Sequence, residues 1–138
     1  MNLSKTEVLI LFNEWLLGWN EHDLERVMDL FHEDIVFENW TGAKVIGKKA
    51  LKKAWTLWFI NHRNFIFTEE GIFFDTDEQK MIFMWKLEWP SRLSGYKGKN
   101  EIRRGVDVLY FKDGKLIQKL TYSKTTIHIE GMPIALEN

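Results

Sequence analysis

An aspartate in the middle of an apolar segment is the residue of this chain best suited to chemistry. Asp107 lies in Gly105-Val106-Asp107-Val108-Leu109-Tyr110-Phe111, and the alternation of a strand gives it apolar neighbours whichever face it occupies. A carboxylate in such surroundings needs a partner, because an unpaired charge is costly to bury. Asp107 is therefore our first candidate for acid-base chemistry.

The partner of Asp107 depends on how the last hairpin is paired. A two-residue turn at Asp113-Gly114 sets two lysines against each other and leaves Asp107 opposite Leu120. A three-residue turn instead places Lys119 opposite Asp107. We favour the second register, because it gives the buried carboxylate a cationic partner.

The favoured register collects polar side chains on one face of the hairpin. This polar strip consists of Glu101, Arg103, Asp107, Lys119, Thr121, Ser123 and Thr125, with Arg103 opposite Ser123 and Gly105 opposite Thr121. We predict that Asp107 and Lys119 are catalytic and that Arg103 holds an anionic or carbonyl group. A structural ion pair is the alternative left open, since buried pairs also occur without a catalytic role.

Seven tryptophans and ten phenylalanines indicate either a very aromatic core or a pocket lined by flat rings. The strand before the polar strip has a wholly apolar side that carries Trp85 and Trp89, and the helices supply further tryptophans. The residues predicted to bind a ligand are Trp15, Asn39, Trp55, Trp58, His62, Trp85, Trp89, Thr121 and Ser123.

Composition limits the class of protein. The 138 residues carry a formal charge of -1, with 45% hydrophobic and 28% charged residues, which gives no reason to expect nucleic acid or a membrane as a partner. There is no cysteine, and none of the four histidines has a partner at ligand spacing, so we predict no metal and no cofactor. Neither a membrane span nor a signal peptide is recognisable, and we expect a cytoplasmic location.

The pattern along the chain changes from helical to alternating near residue 64. We predict one domain, residues 1–138, with helices over Ser4–Trp19, after Asp23, and over Lys48–His62. The predicted strands are Ile35–Trp40, Asn64–Asp75, Gln79–Pro90, Asn100–Phe111 and Lys115–Ile129. The loop Ser91–Lys99, which contains two glycines, is predicted to form a lid beside the third helix. This order favours an α+β fold in which a curved antiparallel sheet wraps around N-terminal helices.

Four short segments resemble a known family. Trp15–Leu24, Asp34–Asn39, Gly105-Val106-Asp107 and the turn Asp113-Gly114-Lys115 are similar to segments of nuclear transport factor 2-like (NTF2-like), or SnoaL-like, domains. The resemblance covers nearly the whole chain in the order of its elements. It implies a cone-shaped, cystatin-like α+β barrel with a pocket inside.

Sites of three subfamilies can be carried over residue by residue. The resemblance to ketosteroid isomerases puts Trp15 at the place of a hydroxyl-donating tyrosine, Asn39 at that of the general-base aspartate, and Asp107 at that of a hydrogen-bond-donating aspartate. The epoxide-hydrolase relatives have an arginine where this chain has Gly105. The SnoaL-like cyclases have an acidic residue on the last strand, where this chain has Thr121. Each known site is thus altered in at least one place.

These observations predict a pocket protein that binds a small, mainly apolar molecule with a polar end. The predicted reaction is cofactor-independent acid-base chemistry of the isomerase, cyclase or hydrolase class. A non-catalytic ligand carrier or a dimerising scaffold is the alternative. We also predict a homodimer through an outer sheet face formed by Ile82, Met84, Val106, Val108, Tyr110, Leu120 and Tyr122.

Overall fold

The computed structural model describes residues 2–136, and the first helix begins as its sequence predicts. Helix α1 spans Lys5–Asn20, and Ser4 caps it. The backbone N–H of Glu7 donates to Ser4 Oγ at 3.2 Å, and Ser4 N–H donates to the Glu7 carboxylate at 2.9 Å. Ser4 and Glu7 thus form a capping box, which satisfies two N–H groups at the helix start. The buried face of α1 carries Phe12, Trp15 and Trp19.

Two further helices complete the layer that packs on the sheet. Helix α2, Leu24–Met28, is short and begins after Asp23, whose side chain accepts a hydrogen bond from Arg26 N–H. Helix α3 spans Lys48–Asn61 and begins after Gly47, which has a φ of 92°. The helix ends one residue earlier than predicted.

Within residues 2–136, eight strands form one sheet. Their bounds are β1 Phe31–Glu38, β2 Lys44–Ile46, β3 Ile66–Asp75, β4 Lys80–Pro90, β5 Asn100–Lys112, β6 Lys115–Ser123, β7 Thr126–Ile129 and β8 Met132–Ala135. The predicted strand Lys115–Ile129 is thus two strands. The chain leaves β6 after Ser123, and β7 pairs with the start of β5, where Glu101 lies opposite Ile129.

The strand order is β2-β1-β6-β5-β4-β3, with β7 and β8 beside this path, and the sheet curls into a half-barrel. The predicted α+β class is confirmed, with one difference in strand direction. Strand β1 runs parallel to β6, so the sheet is mixed rather than antiparallel. No hairpin joins these two strands, and their long connection lets either direction form.

The helices lie against the buried side of the sheet. Phe12 of α1 contacts Phe83 of β4 with ring centroids 4.6 Å apart, and Trp55 of α3 contacts Phe37 of β1 at 5.2 Å. Alternate residues of β4 are buried, from Met81 to Trp89, as the wholly apolar side of that strand predicts. No helix within residues 2–136 has the length and apolar character needed to cross a membrane.

The predicted register of the last hairpin is wrong at the turn. Lys112 pairs with Lys115 across a two-residue turn, and both turn residues, Asp113 and Gly114, have positive φ, 52° and 77°. Two like charges can be paired there because both lysines are exposed to solvent, which screens their repulsion. The two lysines therefore do not disfavour a two-residue turn.

A β-bulge on β6 nevertheless places the Lys119 side chain on the same face as Asp107. Ile117 has no partner on β5, because Phe111 pairs with Leu116 and Tyr110 with Gln118. This extra residue turns Lys119 to the Asp107 face.

The directly opposed pairs nevertheless differ from those predicted. Thr121 lies opposite Asp107, and Lys119 lies opposite Leu109, one pair nearer the turn. Gly105 lies opposite Ser123 rather than Thr121, so Ser123 is not opposite Arg103.

Candidate functional site

A cavity of about 240 Å³ lies between the helices and the concave side of the sheet. It has room for roughly eight water molecules at ~30 Å³ each, or for one small ring compound. Every tryptophan except Trp89 lines it. The full lining is Trp15, Leu16, Trp19, Phe37, Asn39, Trp40, Ala43, Val45, Ala54, Trp55, Trp58, Phe67, Phe83, Trp85, Leu87, Asp107, Lys119 and Thr121.

Three hydrogen-bonded side chains form the polar centre of this aromatic cavity. Lys119 Nζ lies 3.1 Å from Asp107 Oδ2, and it donates to Thr121 Oγ1 at 2.7 Å. The Thr121 hydroxyl donates to Asp107 Oδ1, also at 2.7 Å. The Lys119 and Asp107 side chains are only 8% and 5% exposed. A charged pair so well excluded from water is held in a setting of low polarity, where electrostatic interactions are strong.

Trp85 adds a fourth partner to the polar centre. Its indole N–H donates to Asp107 Oδ1 at 3.3 Å. Trp85 lies opposite Gly105, and the missing side chain of this glycine leaves room for the indole ring. The donor to Asp107 thus comes from the strand on the other side of β5.

Aromatic rings surround the ammonium group of Lys119. Its Nζ lies 4.8 Å from the ring centroid of Phe37 and 5.8 Å from that of Trp55, within the range of cation-π attraction. Burial lowers the pKa of Lys119, and the Asp107 carboxylate opposes that shift through its charge and hydrogen bond. Lys119 is therefore easier to deprotonate than a lysine in water.

Two further residues of the cavity lining carry polar groups, Trp15 and Asn39. Trp15 is 2% exposed, and its Nε1 has no hydrogen-bond partner within residues 2–136. A buried donor without a partner is unfavourable. Asn39 Oδ1 accepts from the Trp40 N–H at 2.8 Å, which fixes the side chain at the end of β1.

Arg103 lies in a second polar cluster, outside the cavity. Its Nε donates to Glu101 at 2.6 Å, and its guanidinium lies between the rings of Trp40 and Trp89, 5.3 and 5.2 Å from their centroids. Glu101 is 1% exposed and also accepts from the Trp89 indole at 2.6 Å and from the Ser91 hydroxyl at 2.8 Å. Five residues of the polar strip thus form two clusters, which Gly105 and the ring of Trp85 separate: Glu101 with Arg103, and Asp107 with Lys119 and Thr121.

His62 belongs with the second cluster. Its ring stacks on Trp58 with centroids 4.6 Å apart, and it lies 4.6 Å from Trp89. Its Nδ1 is 3.0 Å from the carbonyl oxygen of Trp58, one turn earlier in α3. Burial lowers the pKa of His62, and the nearby Arg92 and Arg103 lower it further, whereas the Trp58 carbonyl and Glu101 oppose the shift.

The structure brings most of the predicted site residues to one cavity. Those that line it are Asp107, Lys119, Thr121, Trp15, Asn39, Trp55, Trp58 and Trp85, whereas Arg103, His62, Trp89 and Ser123 do not. The Ser123 hydroxyl instead hydrogen-bonds to backbone carbonyl oxygens, that of Lys124 just after β6 and that of Arg104 on β5. Within the described part of the chain, no three His, Asp or Glu side chains converge as metal ligands would.

The mouth of the cavity differs from the prediction. Helix α3 borders it as expected, but no residue of the loop Ser91–Lys99 does. The connection from β1 to β2, with Trp40 and Ala43, and Val45 of β2 take that place in the lining. Sequence reasoning missed these residues, although an aromatic residue two positions before Gly42 in a predicted loop was a usable signal.

Comparison with solved structures finds many of similar fold, and three of them are described here by their similarity to this chain. TerC, co-crystallised with polyporic acid, is 13% identical in sequence to this chain, with a TM-score of 0.71. The match covers 85% of this chain and 91% of the TerC chain. Rv0760c from Mycobacterium tuberculosis, in complex with estradiol-17beta-hemisuccinate, is 20% identical with a TM-score of 0.68, covering 83% and 91%. A protein of unknown function with a cystatin-like fold from Methylobium petroleophilum is 15% identical with a TM-score of 0.71, covering 99% and 87%. Identities this low show the fold alone.

Sequence comparison identifies the family. No curated protein matches the chain. Residues 12–119 match the SnoaL-like domain, a span that runs from α1 to Lys119 and includes Asp107. The chain therefore belongs to the SnoaL-like domain family of the NTF2-like superfamily.

Proposed function

We propose that this protein binds one small, mainly apolar ring compound in the cavity and holds the polar end of that compound at Asp107, Lys119 and Thr121. The observation that carries the proposal is a closed hydrogen-bonded triad inside an otherwise aromatic cavity. Pockets for small molecules are commonly built in this way, with a few polar groups that orient a ligand among apolar walls.

The proposed reaction is proton transfer at the polar end of the ligand. Lys119 is placed to donate to a carbonyl or hydroxyl oxygen, and Asp107 is placed to accept a proton. We place the reaction in the isomerase, cyclase or hydrolase class.

A non-catalytic carrier is the second candidate, and one observation favours it. Asp107 and Lys119 are paired with each other and with Thr121, so the three side chains satisfy one another as a purely structural element would. Turnover of a bound compound that depends on pH would support the enzyme. Saturable binding without turnover would support the carrier.

The remaining inferences concern the whole molecule. We infer that residues 1–138 form one domain, that two copies associate through the outer sheet face, and that the protein is cytoplasmic. Two proteins of the same fold were crystallised with small molecules, which supports a small-molecule partner for this chain as well.

The test compares two ligands that differ only in a polar end, 2-acetylnaphthalene and 2-ethylnaphthalene. Titration followed by tryptophan fluorescence should show saturable binding of both, with the ketone bound about fivefold more tightly, since one hydrogen bond contributes ~1 kcal/mol. Equal affinities would contradict the role of the polar triad.

Matched variants of α3 locate the binding. Ala54→Leu narrows the cavity and should weaken the binding of both ligands, because Ala54 is part of the lining. Ala50→Leu, another exposed alanine of the same helix that is not part of the lining, should leave both affinities unchanged. Binding that is insensitive to Ala54→Leu would place the ligands elsewhere and overturn the proposed function.

A further inference from the structure

We propose that Lys119 forms an imine with an aldehyde or ketone held in the cavity, and that Asp107 is the counterion of the resulting iminium. The inference rests on the proposed function, because the carbonyl compound must first bind in the cavity. It goes further in naming the class of ligand and a covalent bond to this chain.

The surroundings of Lys119 suit an iminium as well as they suit an ammonium. Both groups carry one positive charge, so the contact of 3.1 Å between Nζ and Asp107 Oδ2 can persist through the reaction. The rings of Phe37 and Trp55 attract either cation.

The nucleophile must be the neutral amine, and the triad offers a place for its proton. Thr121 Oγ1 accepts from Lys119 Nζ and donates to Asp107 Oδ1, each at 2.7 Å, so a proton can pass from the ammonium to the carboxylate directly or through the hydroxyl. Burial lowers the pKa of Lys119 against the opposing effect of Asp107, which supports deprotonation when a ligand arrives.

The step balances without any further reactant. The lone pair of Nζ attacks the carbonyl carbon, a C–N bond forms, and the carbonyl oxygen leaves as water with two hydrogens that began on the ammonium. One hydrogen stays on nitrogen, and the charge of +1 is unchanged. The iminium then draws electrons from the adjacent carbon of the ligand, and a proton lost from that carbon can move to Asp107.

Trapping by reduction tests the proposal on the unaltered protein. The probe is 2-naphthaldehyde with sodium cyanoborohydride, which reduces an imine to a stable amine. Proteolysis and mass spectrometry should find one naphthylmethyl group on Lys119, and an excess of 2-ethylnaphthalene should suppress that label. Lys124, which is exposed just after the end of β6, should be labelled slowly and without suppression.

Two variants sharpen the assignment. Lys119→Arg keeps a cation beside Asp107 but cannot form an imine, and it should lose the suppressible label, whereas Lys124→Arg should keep it. Binding of 2-ethylnaphthalene without any label on Lys119 would overturn the imine and leave the proposed function standing. Absence of saturable binding by either naphthalene would overturn the proposed function itself. Mapping of the wild-type protein decides the matter even if Lys119→Arg fails to fold.

Discussion

Trp85 lies across Gly105 of the neighbouring strand, and this contact brings its indole N–H to Asp107. A Cβ on Gly105 would lie 2.5 Å from Trp85 Cζ2 and 2.1 Å from the carbonyl oxygen of Tyr122. Neither distance is compatible with the observed packing, so the glycine is required by close approach on both sides. The same contact explains why the position next to Asp107 on this face carries no polar side chain.

Gly105→Ala should therefore destabilise the protein severely. We expect the free energy of unfolding in urea to fall by about 3 kcal/mol, at the upper end of the range for overpacking, because a backbone oxygen and a buried ring would both have to move. Gly71→Ala is the matched control on β3. Its Cβ would meet the sulfur of Met84 at 3.1 Å, the movable part of a flexible side chain, and the loss should be small. Equal losses for the two variants would contradict the argument.

The Asp107–Lys119 contact shows how much of the candidate site can be predicted from the sequence. A buried carboxylate needed a cation, and that requirement led to Lys119 even though the register derived from the turn is wrong. The bulge at Ile117 that reconciles the two could not be predicted, because nothing in its side chain marks an unpaired position in a strand. The need of a buried carboxylate for a cation was enough to predict the Asp107–Lys119 contact. The pairing of the two strands could be learned only from the structure.

Lys119→Met should cost about 3–5 kcal/mol of the free energy of unfolding near neutral pH, the range for breaking a buried ion pair. The reason is that Asp107, with a side chain 5% exposed, would keep only neutral partners, Thr121 and Trp85. Urea denaturation at several pH values would measure the loss.

The double variant separates the orphaned charge from lost packing. Asp107→Asn combined with Lys119→Met should recover part of the stability, because no uncompensated charge then remains in the cavity. It should also abolish any turnover. A double variant less stable than Lys119→Met alone would mean that the carboxylate is not what destabilises the single variant.

Ligand binding should protect the β1–β2 connection more than the loop Ser91–Lys99. The amide of Asn39 donates to the carbonyl of Ala43, and that of Gly42 donates to the carbonyl of Asn39, both at 2.9 Å, so these two amides report on opening of the cavity mouth. Hydrogen exchange with and without 2-acetylnaphthalene would measure the protection. Stronger protection in residues 91–99 would restore the lid first predicted from their glycine content.

That lid prediction failed for a physical reason. Glycines indicate a segment able to bend, but not which cavity it borders. Ser91 is instead held at the second cluster, where its hydroxyl donates to Glu101 and its backbone N–H donates to Lys99 O at 2.7 Å. Tertiary partners of this kind lie many residues away and leave no local pattern to recognise.

We predict that the protein is a homodimer through its outer sheet face. Ile82, Met84 and Tyr122 are 43%, 40% and 55% exposed there, which leaves a large apolar patch in water unless a second copy covers it. Sedimentation at micromolar concentration should give a dimer, and Met84→Lys should shift it to monomer. Ile10→Lys, at an apolar and more exposed position of α1, should leave the dimer intact. A wild-type monomer would refute the interface.

Acid should destabilise the protein in part through His62. Burial and the charges of Arg92 and Arg103 lower the pKa of His62 in the folded state, and the Trp58 carbonyl and Glu101 oppose this shift. Below the usual histidine pKa of about 6.5, His62 therefore binds a proton more readily in the unfolded chain than in the folded one. The contribution to stability is thus fully present above about pH 6.5 and is lost as the pH falls through the folded-state pKa. His62→Gln should reduce the fall in urea midpoint between about pH 7.5 and about pH 5. His128→Gln, on β7, serves as the control, and a reduction of the same size in that variant would show that His62 is not the group responsible.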